Sequence, residues 1–235
     1  RRIEDSRVRQ LSRILLALML AAALALPSAR ASELTPHRAE YKVKISVVAG
    51  QLNTELKATA NGYAATHVIK PTGLSRMITR GTMNVTSTFR ADAQGIKPVT
   101  YHAIDTIGDD PETLIAFNWY TNEASGTVGD EEVVLKLVGI AHDSVSFQYS
   151  LMHDLLNGQP DDTYVLFDVD KMRVAEVRNV GMKQVKTNAG QYDVVGIQHQ
   201  KQGSSRVTTL WCARELDYLP VIIEQHRKEK LNFRA

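Results

Sequence analysis

The strongest pattern in this sequence is an alternation of apolar and polar side chains that begins at Tyr41. From Tyr41 to Val48 the apolar residues alternate with Lys and Ser, and residues 52–60 repeat the pattern. A period of two is typical of a β-strand with one buried face. The Ala49-Gly50-Gln51 turn between the two segments predicts that they form a hairpin.

Similar segments follow along the rest of the chain. Turn-forming residues such as Asn61-Gly62 and Asn188-Ala189-Gly190 separate them, because Gly and Asn tolerate backbone angles that strands exclude. The predicted strands cover residues 63–69, 77–89, 99–105, 114–120, 132–137, 163–168, 172–179, 182–186, 192–200, 206–212 and 220–227.

One segment follows a helical period instead. The apolar residues from Val145 to Leu156 recur at intervals of three or four positions, which is typical of an amphipathic α-helix. Asp143 or Ser144 supplies an N-cap, and Asn157-Gly158 supplies a C-terminal cap. The sequence therefore predicts a helix over residues 144–157.

About a dozen strands and one helix predict an all-β (β-dominated) fold. Short connections favour antiparallel neighbours, and a sheet of this size must curl, close or split in two. We expect a large curved antiparallel sheet or open barrel with one covering helix near 144–157. No repeat or change of composition marks a boundary, so residues 32–235 are predicted to form a single β-rich domain.

Residues 1–31 predict a cleavable signal peptide. An arginine-rich start precedes an apolar run over 14–26, which is shorter than the roughly 20 residues that a membrane span needs. Ala29-Arg30-Ala31 has the small-x-small pattern of a signal peptidase site. We expect cleavage between Ala31 and Ser32, a periplasmic location and no transmembrane span in the mature chain. An uncleaved anchor is the alternative.

Removal of this leader changes the net charge. The whole chain carries 28 Lys and Arg against 26 Asp and Glu, and the leader holds six Arg against Glu4 and Asp5. The mature chain therefore has 22 basic and 24 acidic residues, a net charge of −2. Because it has no excess of cations to neutralise phosphates, nucleic acid is not an expected partner.

Two groups of polar residues are candidate ligand-binding sites. Ser75, Arg76 and Arg80 lie in a loop where guanidinium groups could bind a phosphate or carboxylate. Structural ion pairs are the alternative for these arginines, and for Arg206, which follows a Gly-Ser-Ser turn.

The second group lies on the last predicted strands. If residues 206–212 and 220–227 pair as a hairpin, Arg206, Glu224 and His226 could share one face, and His199 could join them from the preceding strand. Such a cluster would form the polar mouth of a cavity. A solvated outer face with cross-strand ion pairs is the alternative.

Motifs for metals, cofactors and catalysis are missing from the sequence. The seven histidines do not pair at the spacings of zinc sites, and the only cysteine, Cys212, cannot form an internal disulfide. G-x-S-x-G, C-x-x-C, H-E-x-x-H and a Gly-rich phosphate loop do not occur. We expect no metal and no cofactor, although a Ser-His-Asp hydrolase stays open because geometry defines a triad.

The segments ELTPHRAEY (33–41), PTGLSRM (71–77), LMHDLLNG (151–158) and SSRVTTLWC (204–212) are characteristic. With them the mature chain resembles the exported bacterial family catalogued as domain of unknown function 3108. This resemblance implies export and a β-rich domain, and no particular activity. The strand ending in Trp211, followed by Leu219-Pro220-Val221, also resembles periplasmic lipoprotein carriers, whose half-barrel is covered by a helix. That second likeness concerns fold more than function.

Three functions fit these observations. The first is a non-enzymatic periplasmic protein that binds an apolar or amphiphilic envelope ligand, such as a lipid, within the curved sheet. The second is an assembly or interaction factor for envelope proteins, acting through sheet edges and the loop 71–80. The third is a hydrolase acting on envelope polymers.

Overall fold

A computed structural model describes residues 33–45, 48–92, 94–108, 110–168 and 171–235. The predicted signal peptide and its Ala31–Ser32 cleavage site lie outside these residues. Residues Ser32–Ala235 form one compact unit.

Within the described residues the chain forms fifteen strands, one α-helix and two short 3-10 helices, Gly73–Met77 and Arg214–Leu216. The strands are β1 (His37–Ile45), β2 (Val48–Thr59), β3 (Gly62–Pro71), β4 (Met83–Asp92), β5 (Gly95–Asp105), β6 (Thr113–Asn118), β7 (Glu123–Val128), β8 (Glu131–Lys136), β9 (Ala141–His142), β10 (Thr163–Asp168), β11 (Lys171–Lys186), β12 (Gln191–Lys201), β13 (Arg206–Ala213), β14 (Leu219–Arg227) and β15 (Lys230–Arg234). The helix α1 is Ser146–Asn157.

All fifteen strands belong to one sheet built from two meanders. Its order is β8-β7-β6-β5-β4-β3-β2-β1-β15-β14-β13-β12-β11-β10-β9. Neighbours are antiparallel except for the two-residue parallel pair of β9 and β10. The predicted β-dominated fold with a large antiparallel sheet is therefore confirmed.

The sheet curls until its two ends meet. Ile115 and Phe117 on β6 pack in one apolar cluster with Ala141 on β9 and Phe167 on β10. The Phe167 ring also lies 6.2 Å from the Tyr101 ring on β5. Because β8 and β9 end the sheet without pairing with each other, side-chain packing holds the ends together and the barrel stays open.

Helix α1 fills the inside of this curve. Val145, Tyr149 and Met152 pack in one cluster with the strands of the first meander. Phe147 and its neighbours one and two turns further on pack in another cluster with the second meander. The helix therefore buries two opposite stripes and joins the two halves of the sheet into one core, and nine of its twelve residues are buried.

A complete cap begins the helix. The Asp143 carboxylate accepts the backbone N–H groups of Val145 (2.9 Å) and Ser146 (2.8 Å), and the Ser146 hydroxyl accepts the Asp143 N–H (3.0 Å). This reciprocal arrangement satisfies N–H groups that otherwise have no partner in the first helical turn. At the other end, Gly158 has a φ of 150°, which favours glycine as the terminating residue.

Three parts of the strand prediction were wrong. Residues 77–82 do not continue β4 but form a loop after the first 3-10 helix. Strands β7 and β15 were missed, and so was the short β9. Residues 172–179 and 182–186 are one strand, β11, interrupted by an irregularity in register between Asn179 and Met182.

Candidate functional site: a cleft in the wall of the sheet

Ser75, Arg76 and Arg80 do not build a binding pocket. The Ser75 side chain is buried, and its hydroxyl accepts the Ala49 N–H (2.8 Å), which fastens the loop to β2. Arg76 donates from Nε to the Pro71 carbonyl (3.4 Å). Both Arg76 and Arg80 are exposed.

The structure separates the four predicted residues near the last hairpin into two pairs. Arg206 lies opposite Arg227, whereas His226 lies opposite Val207 and Glu224 opposite Thr209. Directly opposed residues share a face, so Arg206 is on the other face from Glu224 and His226.

A register shift explains this separation. Between Trp211 and Cys212 the pairing of β13 with β14 moves by one residue, because Cys212 lies opposite Pro220 while Trp211 lies opposite Ile222. A shift of one residue exchanges the two faces of a strand. Without it, Arg206 would share a face with Glu224 and His226, as the sequence pattern predicted.

The two pairs have different surroundings. His199 lies opposite Thr208, on the concave face with Arg206, and its ring is 4.9 Å from that of Phe147. On the convex face, Glu224 accepts the Trp211 indole N–H (3.1 Å) and lies 3.6 Å from the Arg234 guanidinium. Glu224 therefore belongs to a cross-strand polar row on the outer surface.

Within the described residues, an opening in the sheet lies where the two meanders join. Strand β15 separates β1 from β14, yet it pairs with β1 only at Lys44–Arg234 and Ile45–Phe233. The earlier part of β1 faces residues 219–222 of β14 across a gap in the wall. Tyr41 reaches over this gap, and its hydroxyl donates to the Pro220 carbonyl (2.7 Å).

This gap opens into a cavity of about 830 Å³, which we call the lateral cleft. Its volume is within the range of small-molecule sites, roughly 300–1,000 Å³. Its walls include the apolar residues Ala39, Tyr41, Ala189, Tyr192, Leu216, Leu219, Pro220, Val221 and Ile222. Its charged residues carry both signs: Arg38, Glu40, Lys42, Lys186, Glu215, Asp217 and Arg234. An apolar wall with a charged rim matches an amphiphilic ligand.

Behind the cleft lies a group of buried polar atoms that have no hydrogen-bond partner among the described residues, and we call this group the polar pocket. It contains His37 Nε2, Thr54 Oγ1, His67 Nε2 and the Tyr149 hydroxyl. The rings of His37 and His67 lie 6.0 and 6.2 Å from the Tyr149 ring. Because His37 also lines the cleft, the pocket adjoins the cavity.

The chemistry of the polar pocket follows from its hydrogen bonds. His37 Nδ1 lies 2.8 Å from the Thr35 carbonyl oxygen, which can only accept, so Nδ1 donates and Nε2 is the ring nitrogen left for the pocket. Burial raises the pKa of the Tyr149 hydroxyl and lowers the pKa of His67 to about 4. At neutral pH His67 is therefore uncharged, and Tyr149 offers a phenol donor.

Among the described acidic residues, Asp143 most resembles a catalytic group because its carboxyl group is buried. Burial raises the pKa of its carboxyl, which also accepts the Ser87 hydroxyl (2.7 Å). Its oxygens are thus occupied by two backbone N–H groups and a serine. This set of bonds is that of a helix cap, and it leaves Asp143 no histidine to orient.

In the described parts of the chain, no group of three or more His, Cys, Asp or Glu residues could hold a metal ion. The same residues include no helix with the length and apolar character that crossing a bilayer requires.

Sequence reasoning missed every member of the polar pocket. His37, Thr54 and His67 sit on the inward-facing positions of β1, β2 and β3, and register alone brings them together: Thr54 lies opposite both Ala39 and His67. Tyr149 meets them only because the sheet curls round the helix. The one signal available was a polar residue at an otherwise apolar position of a period-two strand.

Comparison with known proteins agrees with this architecture. A crystal structure of a β-barrel-like protein of domain of unknown function DUF1849 from Brucella abortus is similar, with a TM-score of 0.57 and 14% sequence identity. The alignment covers 86% of this chain and 95% of that one. No curated protein sequence matches the chain. The profile of the family described as "Protein of unknown function (DUF3108)" matches residues 38–228, and the chain therefore belongs to that family.

Proposed function

We propose that this protein is exported to the periplasm and binds an amphiphilic envelope ligand in the lateral cleft, without catalysing a reaction. The observation that carries the proposal is an apolar cavity of about 830 Å³ between β1 and β14. Soluble proteins rarely leave concave apolar surface uncovered unless something binds there.

The ligand class follows from the lining of the cleft. An acyl chain would lie against Ala39, Leu219 and Val221, and burial of each CH₂ group contributes about 0.8 kcal/mol. A polar head would stay at the rim, where Lys42 and Lys186 form no ion pair with any described residue. A hydroxyl or carbonyl group near the inner end could reach the polar pocket.

The polar pocket supports this assignment in a second way. A buried polar atom without a partner costs about 1–3 kcal/mol relative to a satisfied one. Four such atoms lie in this one place. A ligand group that hydrogen-bonds with Tyr149 and His37 would satisfy two of them on binding.

Displacement of a fluorescent fatty acid tests the proposal. We expect saturable binding at one site, with competition by unlabelled single-chain lipids. Ala39→Trp would fill the cleft and weaken binding at least tenfold. Ala116→Trp is the matched control because Ala116 is exposed on β6, and it should bind within twofold of the parent protein.

Two results would contradict ligand binding. One is the absence of saturable binding, together with native mass spectra of protein from cell envelopes that show no bound lipid. The other is equal loss in the Ala39→Trp and Ala116→Trp variants. Export is tested separately: the protein recovered from the periplasm of a Gram-negative host should begin at Ser32, and retention of residues 1–31 would contradict cleavage.

A further inference from the structure

Residues 70–80, the last two residues of β3 and the loop that follows them, are held firmly on their inner side, and we call this segment the loop 70–80. The Thr72 N–H donates to the Ala49 carbonyl (3.0 Å), and the buried Ser75 hydroxyl accepts the Ala49 N–H (2.8 Å). These bonds fix the 3-10 helix Gly73–Met77 against β2, so the side chains on its other side point away from the protein.

Those outward side chains are apolar. Leu74, Met77 and Ile78 are 82%, 85% and 69% exposed. Their spacing of three and four positions places them on one side of a helical turn. No apolar cluster among the described residues includes them, so nothing in the fold accounts for three large exposed hydrophobic residues in one turn.

The same loop is strongly cationic. Lys70, Arg76 and Arg80 lie within eleven residues that include no Asp or Glu, and neither arginine forms an ion pair with a described residue. The acidic β5–β6 loop is adjacent, since the Thr82 N–H donates to Thr106 Oγ1 (2.8 Å).

The described acids of that neighbouring segment form no ion pair with the loop 70–80, and two of them are engaged elsewhere. Asp105 accepts the N–H groups of Ile107 (2.7 Å) and Gly108 (3.0 Å), and Glu112 pairs with His102 (2.6 Å). The cations of the loop 70–80 are therefore available to an outside partner.

We propose that the loop 70–80 docks on the surface of a bilayer that contains anionic lipids. Leu74, Met77 and Ile78 enter the interface, and Lys70, Arg76 and Arg80 contact the head groups. An apolar stripe flanked by cations is the pattern of interfacial membrane anchors, and each cation near an anionic surface strengthens binding by about fivefold. The surface is distinct from the lateral cleft and does not depend on ligand binding there.

The test places a reporter in the loop of the full chain, so that membrane contact of residues 1–31 cannot imitate the result. Leu74→Trp is compared with Val134→Trp, since Val134 is exposed on β8. Each variant is mixed with phosphatidylglycerol vesicles carrying brominated acyl chains. We expect bromine quenching of the added tryptophan in Leu74→Trp only, measured against the parent chain with its native Trp119 and Trp211.

Charge dependence completes the test. In the Leu74→Trp background, Arg76→Ser with Arg80→Ser should weaken vesicle association about 25-fold, and phosphatidylcholine vesicles should give no quenching. Absence of quenching with anionic vesicles, or equal quenching with both lipids, would overturn the proposal. If the Leu74→Trp emission shifts to the blue when a purified envelope protein is added, and does not shift when vesicles are added, the loop binds a protein partner instead.

Discussion

Two buried polar groups, one in the cap of helix α1 and one within the helix, differ in their hydrogen bonding. Around Asp143 every bond is made within the protein, by Val145, Ser146 and Ser87. Around Tyr149, six residues later, the hydroxyl and the Nε2 atoms of His37 and His67 lack partners among the described residues.

The contrast separates structural from functional polarity. A completely satisfied buried network rigidifies the fold, because each member is stabilised only in one arrangement. An unsatisfied one weakens the fold, and it is usually kept where a ligand or water completes it. The helix cap is thus part of the scaffold, and the polar pocket is the part that points to binding.

The largest expected effect is acid destabilisation through buried histidines. Burial lowers the pKa values of His67, His142 and His199 to about 4. Between pH 6.5 and 4 the unfolded chain binds protons that the folded protein does not, so stability falls as the pH falls. The raised pKa of Asp143 opposes this by up to one proton. A net two to three protons give about 3–4 kcal/mol per pH unit.

Urea unfolding at pH 7.5, 6 and 5 measures this slope. His67→Phe should reduce it by about 1.4 kcal/mol per pH unit, the value for one proton. Tyr149→Phe alters the same pocket without a group that titrates in this range, and it should leave the slope unchanged. A slope that is the same in all three proteins would contradict the neutral state of His67.

The next largest effect is expected at the helix cap. Asp143→Ala leaves two N–H groups and the Ser87 hydroxyl without acceptors, and we expect it to lower the free energy of unfolding by about 3–4 kcal/mol. Asp143→Asn keeps an oxygen for the N–H groups and should lose less than half of that. Equal stability of the two variants in guanidinium unfolding would show that the cap bonds do not matter.

Removal of the Tyr149 hydroxyl should weaken ligand binding without lowering the stability of the protein. Tyr149→Phe deletes a polar atom that has no partner, so stability should be unchanged or rise by about 1 kcal/mol. Binding of the fluorescent fatty acid should weaken about fivefold if the ligand uses this hydroxyl. Destabilisation by 2 kcal/mol or more in thermal unfolding would mean that the hydroxyl is already bonded and that the contrast with Asp143 is false.

The smallest effect is expected on the convex face. Glu224→Gln keeps an acceptor for the Trp211 indole N–H and should change stability by less than about 0.5 kcal/mol. Fatty-acid binding should stay within twofold of the parent protein. Loss of binding in this variant would move the site from the lateral cleft to the polar row that includes Glu224.

The sequence predicted those features of the fold that depend on residues close together along the chain. The long strands and the helix were predictable because their periodicity is visible within a dozen residues. Strand β7, EASGTV, was missed because only Ala124 of its residues is buried. Residues 77–82 were assigned to a strand because Met77 and Ile78 are apolar, although the structure exposes both.

The candidate site depends on features that no local pattern encodes. One register shift at Trp211 decides which face Arg206 occupies. The polar pocket joins His37 to Tyr149, residues that meet only after the sheet has curled. The sequence shows polar residues such as Thr54 and His67 at inward-facing positions of the strands. It does not show that their side chains lack hydrogen-bond partners among the described residues.

The narrow contact between β1 and β15 has a consequence for the order of folding. Apart from the short contact of β1 with β15, the first eight strands pair only with sequence neighbours, so they can assemble before the C-terminal strands have folded. The other edge of β1 pairs through Lys44 with Arg234, which lies 190 residues later in the chain. Until that late strand arrives, β1 presents an unpaired edge to other chains, and newly made protein is most prone to aggregate in that interval.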